Sequence, residues 1–335
     1  MQCFQTNSFT KIELAVKHLL FFFLFSFSLS PLISKAHPGI GIVCDRMGNI
    51  FYTDLKNVYK IAPNGEKTIA VANVHTHELA LDSMGNLYGE HLWYTGETDN
   101  RWRRYVWRLA PDGALNRILE EHQAFQNNFG FVRDAAFDEY SFRREGEEFV
   151  FEKTVCTATS QTTQSRETSV IGKGKFKDVQ WLKAGSDGTL YFAENDNLWQ
   201  LSPDGSFKLL AEKLAEPISP FSVFGENRSI FGIWLDASKN VYTALHTSGL
   251  VKKITPAGVV SAVDKSSLGW SPVGGVFDKT GNLWVLESTF TGGVRARKVE
   301  AKEVCKGQVP NSDAIWWGGA GLFLVLLGLA IRRLW

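Results

Sequence analysis

Short apolar runs recur along this chain, and each ends in the same kind of polar punctuation. DRMGNIFYTD at 45–54 returns as DSMGNLYGEH at 82–91 and as DKTGNLWVLE at 278–287. An apolar run leads into the Asp each time: GIVCD (41–45), LALD (79–82) and GGVFD (274–278), with GFVRD (130–134) and GIWLD (232–236) in further copies. Asp caps the backbone of a tight turn, and Gly or Asn accepts the positive φ that such turns need. The segment therefore predicts a hairpin, strand A before the turn and strand B after it. Strand C follows and ends on a second turn signal, as in VYKIAPNG (58–65), VWRLAPDG (106–113), LWQLSPDG (198–205) and VKKITPAG (251–258). Proline presets φ for the first turn corner and glycine closes it. A short apolar strand D completes the unit.

Aligned on the first Asp, the copies begin at Asp45, Asp82, Asp134, Gly185, Asp236 and Asp278, spaced by 37, 52, 51, 51 and 42 residues. A period of about 40–50 residues with strand composition is the signature of a propeller or β-solenoid. Six units of four strands predict an all-β fold, a six-bladed β-propeller over 37–304. The third copy is degenerate, with Phe137 and Asp138 where Gly-Asn stands elsewhere; its strands are read at YSFRR and EFVFEKTVC, and TATSQTTQSRETS as a loop or strand pair. The sixth lacks a clear Pro-x-Gly turn. Gly41, Gly130, Gly232 and Gly274 lie four residues before the aligned position, where innermost strands crowd the axis and glycine permits close backbone approach. Glu78 and Trp181 hold that place in the second and fourth copies.

The two ends break the repeat. Residues 19–34, LLFFFLFSFSLSPLIS, follow Lys11 and Lys17 and precede Ser34-Lys35-Ala36, which predicts a signal peptide over 1–36 with cleavage after Ala36. Residues 314–331 hold no charge. At about 1.5 Å per residue they span roughly 27 Å, close to a bilayer core. Trp316 and Trp317 mark one edge, and Arg332 and Arg333 mark the other. The positive-inside tendency then puts the 332–335 tail in the cytoplasm and the propeller, joined by a linker at 305–313, outside it. The order VPNSD, apolar helix, Arg-Arg also resembles the sorting signals of bacterial surface proteins. In an oxidising compartment Cys44, Cys156 and Cys305 allow one disulfide, with the pairing open. Net charge is +1, with 36 basic and 35 acidic side chains well mixed, so no basic stripe points to nucleic acid.

The repeated motifs resemble NHL-repeat propellers and the related gluconolactonases and senescence-marker proteins, over about residues 37–300. The lactonase branch of that group binds a divalent metal on the axis and hydrolyses lactones or phosphotriesters. Its first ligand is a Glu in a Glu-Gly-Pro-like opening of blade one, and that place reads His37-Pro38-Gly39 here.

Antiparallel order puts the starts of strands A and the ends of strands B on one face of the propeller. That face collects His75, His77 and Glu78 in VHTHELALD, with Asp54, His91, Glu194 and Glu287 at strand-B ends and His246 in blade five. Imidazoles and carboxylates suit a divalent ion or an acid–base pair. His75, His77, Glu78 and Glu194 are the metal candidates, for calcium, zinc or manganese. Glu78, His77 and His91 are the catalytic candidates, and Arg133, Trp181, His246 and Glu287 the ligand contacts. The loop expected at 95–105 carries three arginines and aromatics suited to an anionic or sugar ligand. No GxSxG, P-loop or HExxH occurs. Two functions follow: a membrane-anchored extracytoplasmic module that binds a protein or small molecule at the axial mouth, or a metal-dependent hydrolase or lyase using Glu78, His77, His91 and Glu194.

Overall fold

A computed structural model describes residues 39–96, 102–123, 132–134, 136–158, 164–215, 230–289 and 291–299. The leader, the linker, the apolar segment at 314–331, the tail and Cys305 lie outside these. Among the described residues there is no helix long and apolar enough to cross a membrane.

The described chain forms six antiparallel sheets in sequence order. Blade one is β1 (Ile42–Cys44), β2 (Ile50–Thr53), β3 (Asn57–Ile61) and β4 (Lys67–Ala72); blade two is β5 (Leu79–Leu81), β6 (Leu87–Tyr94), β7 (Trp102–Leu109) and β8 (Leu115–Gln123). Blade three is β9 (Val132–Arg133), β10 (Glu139–Glu145), β11 (Glu148–Ala158) and β12 (Gln164–Gly174); blade four is β13 (Gln180–Ala184), β14 (Leu190–Glu194), β15 (Asn197–Leu201) and β16 (Phe207–Ala211). Blade five is β17 (Ile230–Leu235), β18 (Val241–Leu245), β19 (Leu250–Ile254) and β20 (Val260–Lys265); blade six is β21 (Ser271–Phe277), β22 (Leu283–Ser288) and β23 (Val294–Val299). Blade six has three strands among the described residues.

The repeated decapeptide is the A–B hairpin, and its chemistry is local. Asp45 Oδ1 accepts the backbone N–H groups of Met47 and Asn49 at 2.8 Å each, and Oδ2 accepts the Asn49 amide at 2.7 Å. Gly48 sits at φ 85° in this turn. The aromatic six residues after the Asp is part of the same device. Tyr88, Tyr140 and Tyr242 donate their hydroxyls to Asp82, Asp134 and Asp236, and the Trp284 indole donates to Asp278. Burial pushes the Asp278 carboxyl up, but hydrogen bonds from Thr280, Asn282 and Trp284 outweigh it and hold the pKa at about 2. Blade four lacks the Asp, and Asp187 caps Thr189 instead at 3.1 Å.

Glycine near the axis has the predicted cause. A Cβ on Gly232 would stand 2.3 Å from the Val273 carbonyl oxygen, and one on Gly274 would stand 2.6 Å from that of Ile40. Inner strands of neighbouring blades therefore touch backbone to backbone. The ring closes between blades six and one, where Ile42, Ile50 and Tyr52 bury against Val273 and Leu286. Side chains alternate along each strand, so each blade has one face toward each neighbour. Phe151 and Phe192 show this packing between blades three and four, with ring centroids 4.8 Å apart.

One sequence expectation changes. The arginines at 103 and 104 do not stand in a loop, because β7 begins at Trp102 and pairs with β6 up to Tyr94. Of the polar stretch after Cys156, read as a loop or a strand pair, the described residues are a strand pair, with β11 and β12 paired from Phe149–Gly174 to Ala158–Gln164.

Candidate functional site

Blade two carries the densest chemistry. The segment 75–77 leads into β5 with a bend at His77 and is fixed at every residue. The His75 N–H donates to His91 Nδ1 at 3.0 Å, and the Leu92 N–H donates to the His75 carbonyl at 3.0 Å. Thr76 is buried; its carbonyl accepts the Thr53 hydroxyl at 2.8 Å, and its own hydroxyl donates to the Glu90 carbonyl at 2.6 Å. The His77 carbonyl accepts the N–H groups of Ile40 and Gly41 at 3.0 and 2.8 Å. Blade one is thus stitched to blade two through this segment.

The result is an imidazole cluster. His75 Nε2 and His77 Nε2 stand 3.3 Å apart. His91 accepts at Nδ1, so in its neutral form the proton sits on Nε2. Its ring stacks on Tyr105 at 5.0 Å and lies near Trp93 at 5.5 Å. Burial pushes the His75 and His91 rings below the ordinary imidazole range, so both are neutral at pH 7.

A second group gathers near the axis on the same face. Trp181 holds φ 52°, a left-handed backbone that costs of order 1–3 kcal/mol outside glycine. Its ring packs on Phe231 at 5.5 Å, and Phe231 packs on His246 at 4.5 Å. Burial lowers the His246 pKa. All three rings are half-buried, leaving part of each accessible. Glu78, half-buried before β5, acts electrostatically on Lys183 of blade four. The Lys183 side chain keeps a small exposed area, yet burial of its ammonium lowers the pKa against the pull of Glu78.

The carboxylates predicted at strand-B ends are held by their own blades. Asp54 accepts from the N–H groups of Lys56 and Asn57 and from the Tyr59 hydroxyl. Glu194 accepts the Lys177 N–H at 2.8 Å and the Trp199 indole at 3.0 Å. Glu287 is wholly buried between Arg295 and Arg297. Arg133 pairs with Glu139 at 2.8 Å. That pair continues a buried chain of charge which the sequence reading did not contain: Glu90 to Arg104 at 3.1 Å, and Arg104 to Glu139 at 3.9 Å, across blades two and three. Burial raises the Glu90 pKa to about 7, with Arg104 opposing the rise.

The divalent cation implied by the family resemblance needs a converging donor set. His75, His77, Glu78 and Glu194 do not form one, because Glu194 caps its own blade two blades away. Among the described residues no group of three or more His, Cys, Asp or Glu side chains is placed to hold a metal ion. What converges is the single pair of imidazole nitrogens. Cys44 is a free thiol.

No protein-family model matches this chain, and no curated protein sequence matches it. Its chain course is similar to that of virginiamycin B lyase from Staphylococcus aureus, at 12% identity and a TM-score of 0.40 over 79% of this chain and 86% of that one. It is similar to a calcium-binding regucalcin from Agrobacterium tumefaciens, at 13% identity and a TM-score of 0.43 over 74% and 81%. It is also similar to a gluconolactonase from Xanthomonas campestris, at 10% identity and a TM-score of 0.44 over 77% and 85%. Likeness at this level says nothing of activity, and the propeller assignment rests on the strand pairing itself; the structural neighbours nevertheless include the gluconolactonase and regucalcin group that the repeated motifs resemble.

Proposed function

We propose that this protein is a membrane-anchored, extracytoplasmic binding propeller that takes a ring-bearing ligand, a sugar or an aromatic group, at the axial mouth on the A-start/B-end face. The observation that carries this reading is the division of labour on that face. Its strand-B-end carboxylates are tied into turn caps and ion pairs, while neutral imidazoles and half-buried aromatic rings are what it presents. Flat aromatic faces with a few fixed hydrogen-bonding nitrogens recognise ring-bearing ligands by stacking and directional bonds. Trp181, Phe231 and His246 supply one stacking row, and His91 with Trp93 and Tyr105 the other. The apolar segment at 314–331 supplies the anchor and the leader the export, which places the mouth outside the cytoplasm.

The test is a saturation-transfer NMR screen of the full chain in detergent against a panel of saccharides, aromatic acids and lactones. Binding of at least one ring-bearing compound that Trp181→Ala abolishes is the expected result. Hits that survive both Trp181→Ala and His91→Ala overturn the placement. Turnover of a lactone or ester, lost in His77→Ala, replaces binding with the hydrolytic reading.

A further inference from the structure

We propose, resting on the reading of the axial mouth as a ring-binding site, that Lys183 is an imine-forming amine below the stacking row, where it captures the carbonyl carbon of a ring-bearing aldehyde. The repeat itself supplies the baseline. Two residues before the aligned turn position, the other five blades carry Val43, Ala80, Val132, Trp234 and Val276. An apolar side chain there is what the fold needs, and burying an ammonium instead costs stability. Glu78 is a second departure, standing where four blades have glycine. Positions that break a local rule without a structural gain are where function is expected. The two departures also belong together. Glu78 acts electrostatically on Lys183 although blade three lies between their blades.

Local geometry sets the amine near the rings. Lys183 lies on β13, the inner strand of blade four, and pairs with Tyr191 across the ladder. The register shifts between Gln180 and Lys183, and Trp181 takes its left-handed backbone inside that irregularity. Bulges of this kind re-aim side chains beside functional sites. Trp181 begins the row that continues through Phe231 and His246, and it stands two residues from Lys183, about 6–7 Å along a strand. A ring stacked on that row can pass a carbonyl substituent down to Nζ. Lys183 is half-buried, and among the described residues no hydrogen bond or ion pair holds its Nζ. Burial favours the uncharged amine, whose lone pair is free to react. The lone pair adds to the carbonyl carbon, a proton moves from nitrogen to oxygen, and loss of water leaves the C=N bond. No oxidant or reductant enters the step. The Glu78 carboxylate, which already acts on the ammonium, offsets the charge of the protonated imine.

The probes are benzaldehyde and, as a ringless control, propanal. Each is added to the full chain in detergent at neutral pH with cyanoborohydride, which reduces an imine to a stable amine. Mass spectrometry of the intact chain and of its peptides reads the adduct. One benzyl group per chain on Lys183, ahead of any other lysine, is expected, and Lys183→Met should lose it. Methionine restores the apolar character that the other blades have, so this variant should melt no lower than the wild type. Benzyl adducts spread over exposed lysines, with Lys183 unmodified, overturn the proposal. Saturation-transfer binding of benzyl alcohol that Trp181→Ala abolishes, with no adduct on Lys183, also overturns it and leaves the ring-binding reading standing. Equal labelling of Lys183 by propanal, with no ring compound bound, supports the amine and overturns the ring-binding reading. The wild-type peptide map decides the amine by itself, so the proposal stays testable if a variant misfolds.

Discussion

Glu90 and Glu287 lie on the second strands of blades two and six, one repeat position apart, and both are wholly buried. Each is paired with arginine from the third strand of its own blade. Glu287 has Arg295 directly across the ladder and Arg297 on the diagonal. Arg295 Nε donates to one oxygen at 2.7 Å and Arg297 Nε to the other at 3.1 Å. Glu90 has Val106 directly across, and its arginine reaches only from the diagonal, opposite Leu92. One oxygen accepts from Arg104, and the other is buried with no hydrogen-bond partner. Equal burial therefore gives unequal electrostatics. What the neighbouring strand sets beside a buried carboxylate decides whether it is saturated or left with an unmet oxygen, and burial drives the Glu90 pKa to about 7.

The largest break in this comparison should come from removing the single donor. Arg104→Met keeps the bulk and deletes the charge, so at pH 8 Glu90 either stays ionised without its donor or takes up a proton, and both cost stability. Removing one partner of a buried pair costs about 3–5 kcal/mol. Arg297→Met should cost less, about 1–3 kcal/mol, because Arg295 still satisfies Glu287. Chemical denaturation of both variants at pH 8 measures the gap. Equal losses would show that the neighbouring strand does not govern the difference.

The second prediction is a pH dependence with a definite sign. Glu90 carries a folded pKa of about 7 against the ordinary glutamate value of 4.5, so the native state binds the proton more tightly than the unfolded chain does. That contribution to stability is fully present below about pH 4.5, declines as pH rises, and is gone above about pH 7. The shift corresponds to about 3 kcal/mol between those limits. Glu90→Gln should flatten the decline between pH 4.5 and 7, as read by denaturation midpoints across that window. A slope unchanged in Glu90→Gln would assign the decline to other groups.

The contrast also shows where the sequence was legible. The hairpins could be read because their determinants are local: Asp, Gly and Asn within five residues, and an aromatic six residues on that returns a hydrogen bond to the same Asp. The glycines near the axis were legible because only close backbone approach requires them at a fixed offset. The Glu90 chain was not legible. Arg104 and Glu139 meet across two blades, and strand alternation separates adjacent residues: Glu90 faces blade three while His91 stacks within its own blade on Tyr105. Arg103 and Arg104 read as loop residues because the polar run before them hides where β7 begins. His75 and His77, grouped in the sequence as neighbours in VHTHELALD, have their Nε2 atoms 3.3 Å apart. Glu194 was grouped with them because its position in the repeat matched, yet equivalence in the repeat is not proximity in space.

The smallest effect belongs to the saturated site and tests its geometry rather than its charge. Arg295 does three things at once: it donates to Glu287, donates to the Ser267 hydroxyl at 3.0 Å, and lies 3.9 Å from the Trp270 ring centroid. Lysine keeps the charge but has neither the planar fork nor the stacking face. The Arg295 side chain is 36% exposed, so solvent screens much of its electrostatic contribution. Arg295→Lys should cost about 1 kcal/mol or less, with Arg297 still holding the carboxylate. A double-mutant cycle with Trp270→Ala separates stacking from ion pairing, because residues in contact show non-additive changes. Most of the loss should couple to Trp270. A loss that is fully additive, and that grows as salt is lowered, would show that charge alone fixes Arg295 and that the saturation of Glu287 depends on it more than its second arginine implies.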